Sequence, residues 1–113
     1  MQKKFLVLYH IPTHVMDEWQ KTDEAERKKQ ENALMQEWGK WMARNAGVIV
    51  GTQSAGKTKL VNTIGVSDVR NGIHMTSIVG ADSLDAAAQI FKDHPHWAIP
   101  EASIQVMEIK DMG

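Results

Sequence analysis

Residues 5–10 read Phe-Leu-Val-Leu-Tyr-His, and this stretch decides the fold class. Its apolar, β-prone side chains predict a strand, which Pro12 ends. Both alternating faces of the strand are apolar: Phe5, Val7 and Tyr9 lie on one face, and Leu6 and Leu8 lie on the other. A strand covered on one side only would alternate apolar with polar residues. We therefore expect both faces of the sheet to be covered.

Composition excludes several classes of protein. A chain of 113 residues suits a single domain over 1–113. The formal net charge of −1 rules out a strong basic field, so we expect no nucleic-acid partner. The absence of cysteine excludes disulfides, thiolate metal sites and a cysteine nucleophile. The apolar runs are too short for a membrane span or a signal peptide, so we expect a cytoplasmic protein with no membrane partner.

The segment Thr13–Ala46 has a helical pattern, which predicts a short helix followed by a long one. Thr22, followed by two acidic residues, is the predicted cap of the long helix. Gly47 is its predicted end. One apolar stripe at helical spacing predicts the face that packs into the core, and its members are Leu34, Trp38, Trp41 and Met42.

The second half of the chain predicts further strands and one more helix. Val48–Val50, Ile73–Val79 and Ser103–Ile109 are read as strands, and Leu60–Val66 has a weaker strand pattern. Between the last two strands, Asp82 or Ser83 is the predicted cap of a helix that ends before Pro95.

This order of elements predicts an α+β protein of ferredoxin-like type, βαββαβ, with an added hairpin near residues 51–66. Both helices would cover one face of an antiparallel sheet. Because the first strand is apolar on both faces, we expect a homodimer formed through the open face of the sheet.

Residues Gly51–Thr58 match the pattern G-x-x-x-x-G-K-T. A phosphate-binding loop requires a helix that opens at Lys57 and Thr58, so that its N-terminus points at the phosphates. The residues that follow are β-branched and are broken by Gly65. We therefore predict a glycine-rich turn or hairpin, and a P-loop nucleotide site at 51–58 is a remote alternative.

Five histidines are the main candidates for chemistry, because histidine titrates near neutrality and transfers protons without a cofactor. His10 ends the first strand and His74 lies early in a later strand, so both could line one cavity. In the segment Asp93–His96, Asp93 could orient an imidazole. The alternative is that these histidines are surface-loop or hydrogen-bonded strand residues.

Trp97 follows that segment, and a large ring in a loop is often a pocket wall or an interface anchor. His94 and His96 have metal-ligand spacing, but no third ligand with convincing spacing follows them, so we expect no metal.

Several ordered motifs together resemble the YCII-related (DGPF-type) family over nearly the whole chain. They are residues 5–10 (FLVLYH), 38–42 (WGKWM), 47–49 (GVI), 82–87 (DSLDAA), 94–95 (HP) and 103–109 (SIQVMEI). The resemblance implies a dimeric α/β barrel, in which two ferredoxin-like subunits pack sheet against sheet. It also implies that Gly51–Thr58 is a turn that leads to a hairpin.

For function, the resemblance implies a superfamily of isomerases, lyases and cofactor-free oxygenases, with a His–Asp acid–base pair proposed for part of the family. The first helix of this chain has no histidine over Asp17–Ala46, so only Asp93 and His94 offer a local pair. The leading hypothesis is a cofactor-free acid–base lyase or isomerase that acts on a small organic molecule. Its predicted catalytic residues are His74, His94 and Asp93, and its predicted substrate-binding residues are His10, His96 and Trp97.

The competing hypothesis is a non-catalytic dimeric small-molecule-binding or accessory domain that uses the same cavity. The two hypotheses differ in geometry, because an enzyme needs a histidine and a carboxylate that converge on one concave pocket.

Overall fold

A computed structural model describes residues 2–112. Its strands are β1 (Lys3–His10), β2 (Ile49–Ser54), β3 (Thr58–Asn62), β4 (Gly65–Val69), β5 (Ile73–Ala81) and β6 (Ser103–Glu108). Its helices are α1 (Thr13–Gln20), α2 (Glu24–Arg44), α3 (Leu84–Gln89) and a short 3-10 helix at Pro95–Ala98. Four strands form an antiparallel sheet in the order β2-β5-β1-β6, and β3 pairs with β4 in a separate hairpin. The predicted α+β class is confirmed.

Side-chain caps explain where two of the helices begin. The Asp23 carboxylate accepts a hydrogen bond from the Glu26 backbone N–H at 3.3 Å, so Asp23 caps α2 and the prediction of Thr22 was wrong by one residue. The Ser83 hydroxyl accepts from the Ala86 N–H at 3.0 Å and caps α3. Within residues 2–112, no helix is both long and apolar enough to cross a membrane.

The core lies between one face of the sheet and the helices. Phe5, Val7 and Tyr9 of β1 are buried and cluster with Trp41 of α2 and Phe91, which follows α3. The prediction that the tryptophan stripe of α2 enters the core is confirmed, with Trp41 2% exposed and Trp38 packed at the margin of the cluster.

The opposite face of the sheet is also apolar at its centre. Alternation along the strands places Leu6 and Leu8 on this face. In register, Leu6 pairs with Ile78 of β5 on one side and with Met107 of β6 on the other. All four side chains are half-buried in the single chain. This is the face for which the sequence predicts a partner.

The segment read as one weak strand, Leu60–Val66, instead reverses direction. The Asn62 side-chain oxygen accepts hydrogen bonds from the backbone N–H groups of Ile64 at 3.0 Å and Gly65 at 3.2 Å. Gly65 has a φ of 148°, in a region that favours glycine. The hairpin therefore runs from Thr58 to Val69 rather than over 51–66, and residues 51–54 belong to β2.

Replacement of Gly72 by alanine is expected to destabilise the fold by about 1–3 kcal/mol, the usual cost of overpacking. A Cβ at Gly72 would lie 2.6 Å from the Ile11 carbonyl oxygen and would also overlap the His10 ring. The Gly72 carbonyl already accepts a hydrogen bond from the Ile11 N–H at 2.7 Å, which holds the two segments together. Urea unfolding measures the effect. Gly56→Ala, where no atom lies within 4 Å of the new Cβ, is the control. Equal unfolding midpoints for the two variants would contradict this packing.

Candidate functional site

A cavity of about 720 Å³ lies between α1, the β2–β3 connection, the hairpin and the start of β5. The side chains with acid–base or charge chemistry that line it are Lys57, Lys59, Asp68, Arg70 and His74. Of the histidines predicted for the site, this cavity contains His74.

The hairpin register brings the charged residues of this cavity together. β3 and β4 pair Thr58 with Val69 and Lys59 with Asp68, so Lys57 and Arg70 flank the open end of the hairpin. Lys59 and Asp68 form an ion pair across the two strands. The turn at Asn62 is consistent with this register, because it joins the two strands at the paired residues Asn62 and Gly65.

One ion pair and one hydrogen bond connect α1 to neighbouring segments. The Arg70 guanidinium lies 2.9 Å from the Asp17 carboxylate, and this contact lowers the pKa of Asp17. The His14 ring lies 2.7 Å from the Glu101 carboxylate. Glu101 has a φ of 58° at a turn, which for a residue other than glycine is a strained conformation. Of the three cationic side chains in the described cavity lining, Lys57 is the one without an ion-pair partner.

His74 is a half-buried imidazole beside these charges. Burial lowers its pKa, and the nearby His10 ring lowers it further. Its Nε2 atom is buried and has no hydrogen-bond partner among residues 2–112. An imidazole that is neutral at pH 7 can act as a general base.

His10 supports the site without lining either cavity. Its ring packs against the backbone at Gly72. Its carbonyl oxygen accepts a hydrogen bond from Nε2 of His96 at 3.1 Å. His10 therefore lies beside His74, where its charge would oppose protonation of that ring.

His94 is packed inside the aromatic core and is 2% exposed. Its ring centroid lies 4.4 Å from that of Trp38 and 4.3 Å from that of Trp41. Nδ1 accepts a hydrogen bond from the His96 N–H at 2.9 Å, so Nε2 carries the ring proton. Burial lowers the pKa of His94 to about 3, with a smaller contribution from His96. This environment does not suit the proton-carrier role predicted for His94.

His96 is equally buried and has a structural hydrogen-bonding role. Its Nε2 donates to the carbonyl oxygens of His10 at 3.1 Å and Ser103 at 3.2 Å, which ties the end of β1 to the start of β6. Burial lowers its pKa, although these two hydrogen bonds act in the opposite direction. Asp93 is exposed, and within the described chain it forms no hydrogen bond or ion pair with His94. The structure therefore does not bring Asp93 and His94 together as an acid–base pair, and neither residue lines either of the two cavities.

Trp97 lines a second cavity, of about 390 Å³, together with Phe91, Ile104 and Val106. Its ring is 44% exposed, and its Nε1 donates to the Phe91 carbonyl oxygen at 2.9 Å. Trp97 is thus a pocket wall, but of an apolar cavity separate from the one that contains His74.

The G-x-x-x-x-G-K-T segment does not have the structure of a phosphate-binding loop. Its first half lies in β2, and Thr58 begins strand β3 where a P-loop would begin a helix. The prediction of a turn over Gly51–Thr58 is therefore correct only for residues 55–57, which connect β2 to the hairpin, because Gly51–Ser54 is part of a strand. Lys57 lies in that connection and lines the larger cavity.

Sequence reasoning missed Lys59, Asp68 and Arg70 as site residues. The signal that points to them is equal spacing from the turn, because Lys59 lies three residues before Asn62 and Asp68 lies three residues after Gly65, so that a hairpin pairs them. Among residues 2–112, no three His, Asp or Glu side chains are grouped so that they could hold a metal ion. No family model and no curated protein sequence matches this chain.

Proposed function

We propose that the protein is a YCII-like acid–base enzyme, a lyase or isomerase that acts on a small organic molecule without a cofactor. The observation that carries this proposal is that His74 and the Asp68 carboxylate line the same cavity. A histidine and a carboxylate on one concave surface are the minimum arrangement for proton transfer in both directions. We assign the role of proton carrier to His74, one of the two histidines, His74 and His94, that the sequence analysis predicted for it.

The proposed chemistry is the removal and return of one proton. The neutral His74 ring takes a proton from a carbon next to a carbonyl, and the electron pair moves onto the carbonyl oxygen. The electron pair then returns from the oxygen. In an isomerase, it moves through a conjugated double bond and forms a new C–H bond at the far carbon with the proton of the imidazolium. In a lyase, it forms a carbon–carbon double bond as the bond from the next carbon to the leaving oxygen breaks, and the imidazolium protonates that oxygen. Because the pKa of His74 is lowered, the ring is a base at neutral pH. Activity should fall as the pH drops through that pKa.

The fold proposed for this enzyme is the ferredoxin-like subunit of a dimeric α/β barrel. The strand order β2-β5-β1-β6, with β3 and β4 as an added hairpin, fits a βαββαβ arrangement. The half-buried Leu6, Leu8 and Ile78 on the open sheet face supply the apolar surface that a second sheet would cover.

Sedimentation equilibrium is expected to give twice the chain mass of 12.7 kDa. Leu8→Glu is expected to give the monomer mass, because an unpaired carboxylate in an apolar interface is costly to bury. Val61→Glu, on the exposed hairpin, is the matched control and should leave the dimer intact. A wild-type mass near 12.7 kDa would exclude the dimer.

A second candidate function is a non-catalytic small-molecule-binding or accessory domain. The observation that favours it is the apolar cavity beside Trp97, whose lining contains no histidine. A ligand held there would need no proton carrier.

Deuterium exchange into small carbonyl compounds in D₂O tests the enzyme proposal, because it requires a base and no knowledge of the product. Exchange that depends on His74 supports the enzyme. Exchange that is absent, or that is independent of His74, leaves the binding domain as the better description.

A further inference from the structure

We infer that the His74 cavity binds a small organic monocarboxylate, with Lys57 as the residue that pairs with the carboxylate. This inference rests on the proposed function and names the class of its substrate.

The charges of the cavity set the charge of its ligand. Three cationic side chains and one carboxylate line it. Lys59 is paired with Asp68, and Arg70 is paired with Asp17 of α1. Lys57 has no ion-pair partner in the described chain, so one positive charge is left to be balanced. A ligand with a single negative charge matches this site better than a phosphate group or a nucleotide.

The rest of the lining suits a carbon skeleton. Met16 of α1, Val69 of β4 and Ile73 of β5 contribute apolar surface between the charged hairpin end and the sheet. A carboxylate at Lys57 would leave the remainder of the molecule among these side chains and His74. The volume of about 720 Å³ accommodates an organic acid rather than a free inorganic ion.

Occupancy of this site has a consequence at His74. An anion near an imidazole favours its protonated form and raises its pKa. The other titratable or charged groups around His74 are His10 on β1, His96 in the 3-10 helix and the four charged residues of the cavity lining. Substitution of Lys57 removes one positive charge from the cavity and leaves His10 and His96, the two histidines near His74, unchanged.

Benzoate and its neutral isostere benzamide are the probes, and NMR of ¹⁵N-labelled protein is the measurement. We expect benzoate, at millimolar concentration, to shift the amide signals of residues 55–58 and 70–74 and to raise the pKa of His74. Benzamide should shift them less and should leave the His74 pKa unchanged. Lys57→Gln should weaken benzoate binding about twofold to fivefold, as expected for loss of one exposed charge pair. Lys29→Gln on α2, outside the cavity lining, is the control and should bind benzoate as the wild type does.

Three outcomes would overturn the inference. Two of them are binding of benzamide as tight as that of benzoate and benzoate binding that is unaffected by Lys57→Gln. Either result would leave the role of His74 in place, because deuterium exchange tests that role with His74 variants. Absence of any shift at residues 55–58 and 70–74 would also overturn the carboxylate site.

Discussion

The protein is expected to lose stability steeply as the pH falls from 6.5 towards 3, because unfolding exposes His94 to water, where it binds a proton that the buried ring does not bind. His94 is neutral in the folded state down to a pKa of about 3, whereas an unfolded chain protonates it near 6.5. Between these values the unfolded state binds more protons, so the free energy of unfolding decreases with falling pH. At about 1.4 kcal/mol per pH unit, the full loss is about 5 kcal/mol, comparable with the total stability of a small domain.

A matched pair of variants isolates this contribution. His94→Asn keeps a side-chain acceptor for the His96 N–H but has no titrating group, so its unfolding free energy should depend less on pH between about 4 and 6. Loss of the ring should lower stability at pH 7 by about 2–4 kcal/mol, as for other large core truncations. His14→Asn replaces an exposed histidine and should keep the wild-type dependence.

Chemical denaturation at several pH values measures these slopes. His96 is also buried with a lowered pKa and contributes in the same direction, so some dependence should remain in His94→Asn. Asp17 contributes to the pH dependence of stability only at lower pH, where its carboxylate is protonated and its ion pair with Arg70 is lost. Equal slopes for His94→Asn and the wild type would contradict the neutral, buried state of His94.

The sequence predicts the sheet and the core well because both depend on local periodicity. Alternation in β1 identifies Phe5, Val7 and Tyr9 as one face, and helical spacing identifies Trp41 as a core residue. Residues in irregular segments are harder to place. His94 follows α3 in a loop, and only the tertiary packing of the loop against α2 makes it a core residue.

The residues of the candidate site could be predicted only in part, because several of them are brought together by tertiary structure rather than by local periodicity. His74 is identifiable as a strand histidine with acid–base capacity. Its charged neighbours come from the two ends of a hairpin whose turn depends on the side chain of Asn62. Without that register, Lys59 and Asp68 appear as isolated surface charges. For Asp93 and His94 the error is the opposite one: the sequence analysis paired two residues because they are adjacent in the chain, but within the described chain their side chains form no hydrogen bond or ion pair with each other.

Removal of the His74 imidazole is expected to reduce catalysed proton exchange by about 10²- to 10⁴-fold, the usual contribution of a positioned general base. His74→Gln keeps a polar side chain of similar length and cannot carry the proton. In the wild type, the exchange rate should be constant near neutral pH and should fall as the pH drops below 6.5, through the lowered pKa of His74. His14→Gln, at an exposed histidine outside the cavity lining, should have the wild-type rate.

The rate of deuterium incorporation from D₂O into small carbonyl compounds, both keto monocarboxylic acids and neutral ketones, tests the central claim most directly when it is followed by proton NMR. The wild-type protein is expected to accelerate incorporation at the carbon next to the carbonyl of at least one such compound, and His74→Gln is expected to lose most of that acceleration while remaining folded. Incorporation at the same rate with His74→Gln as with the wild type, or no acceleration by the wild type of any compound in the set, would contradict His74 as the proton carrier of an acid–base enzyme.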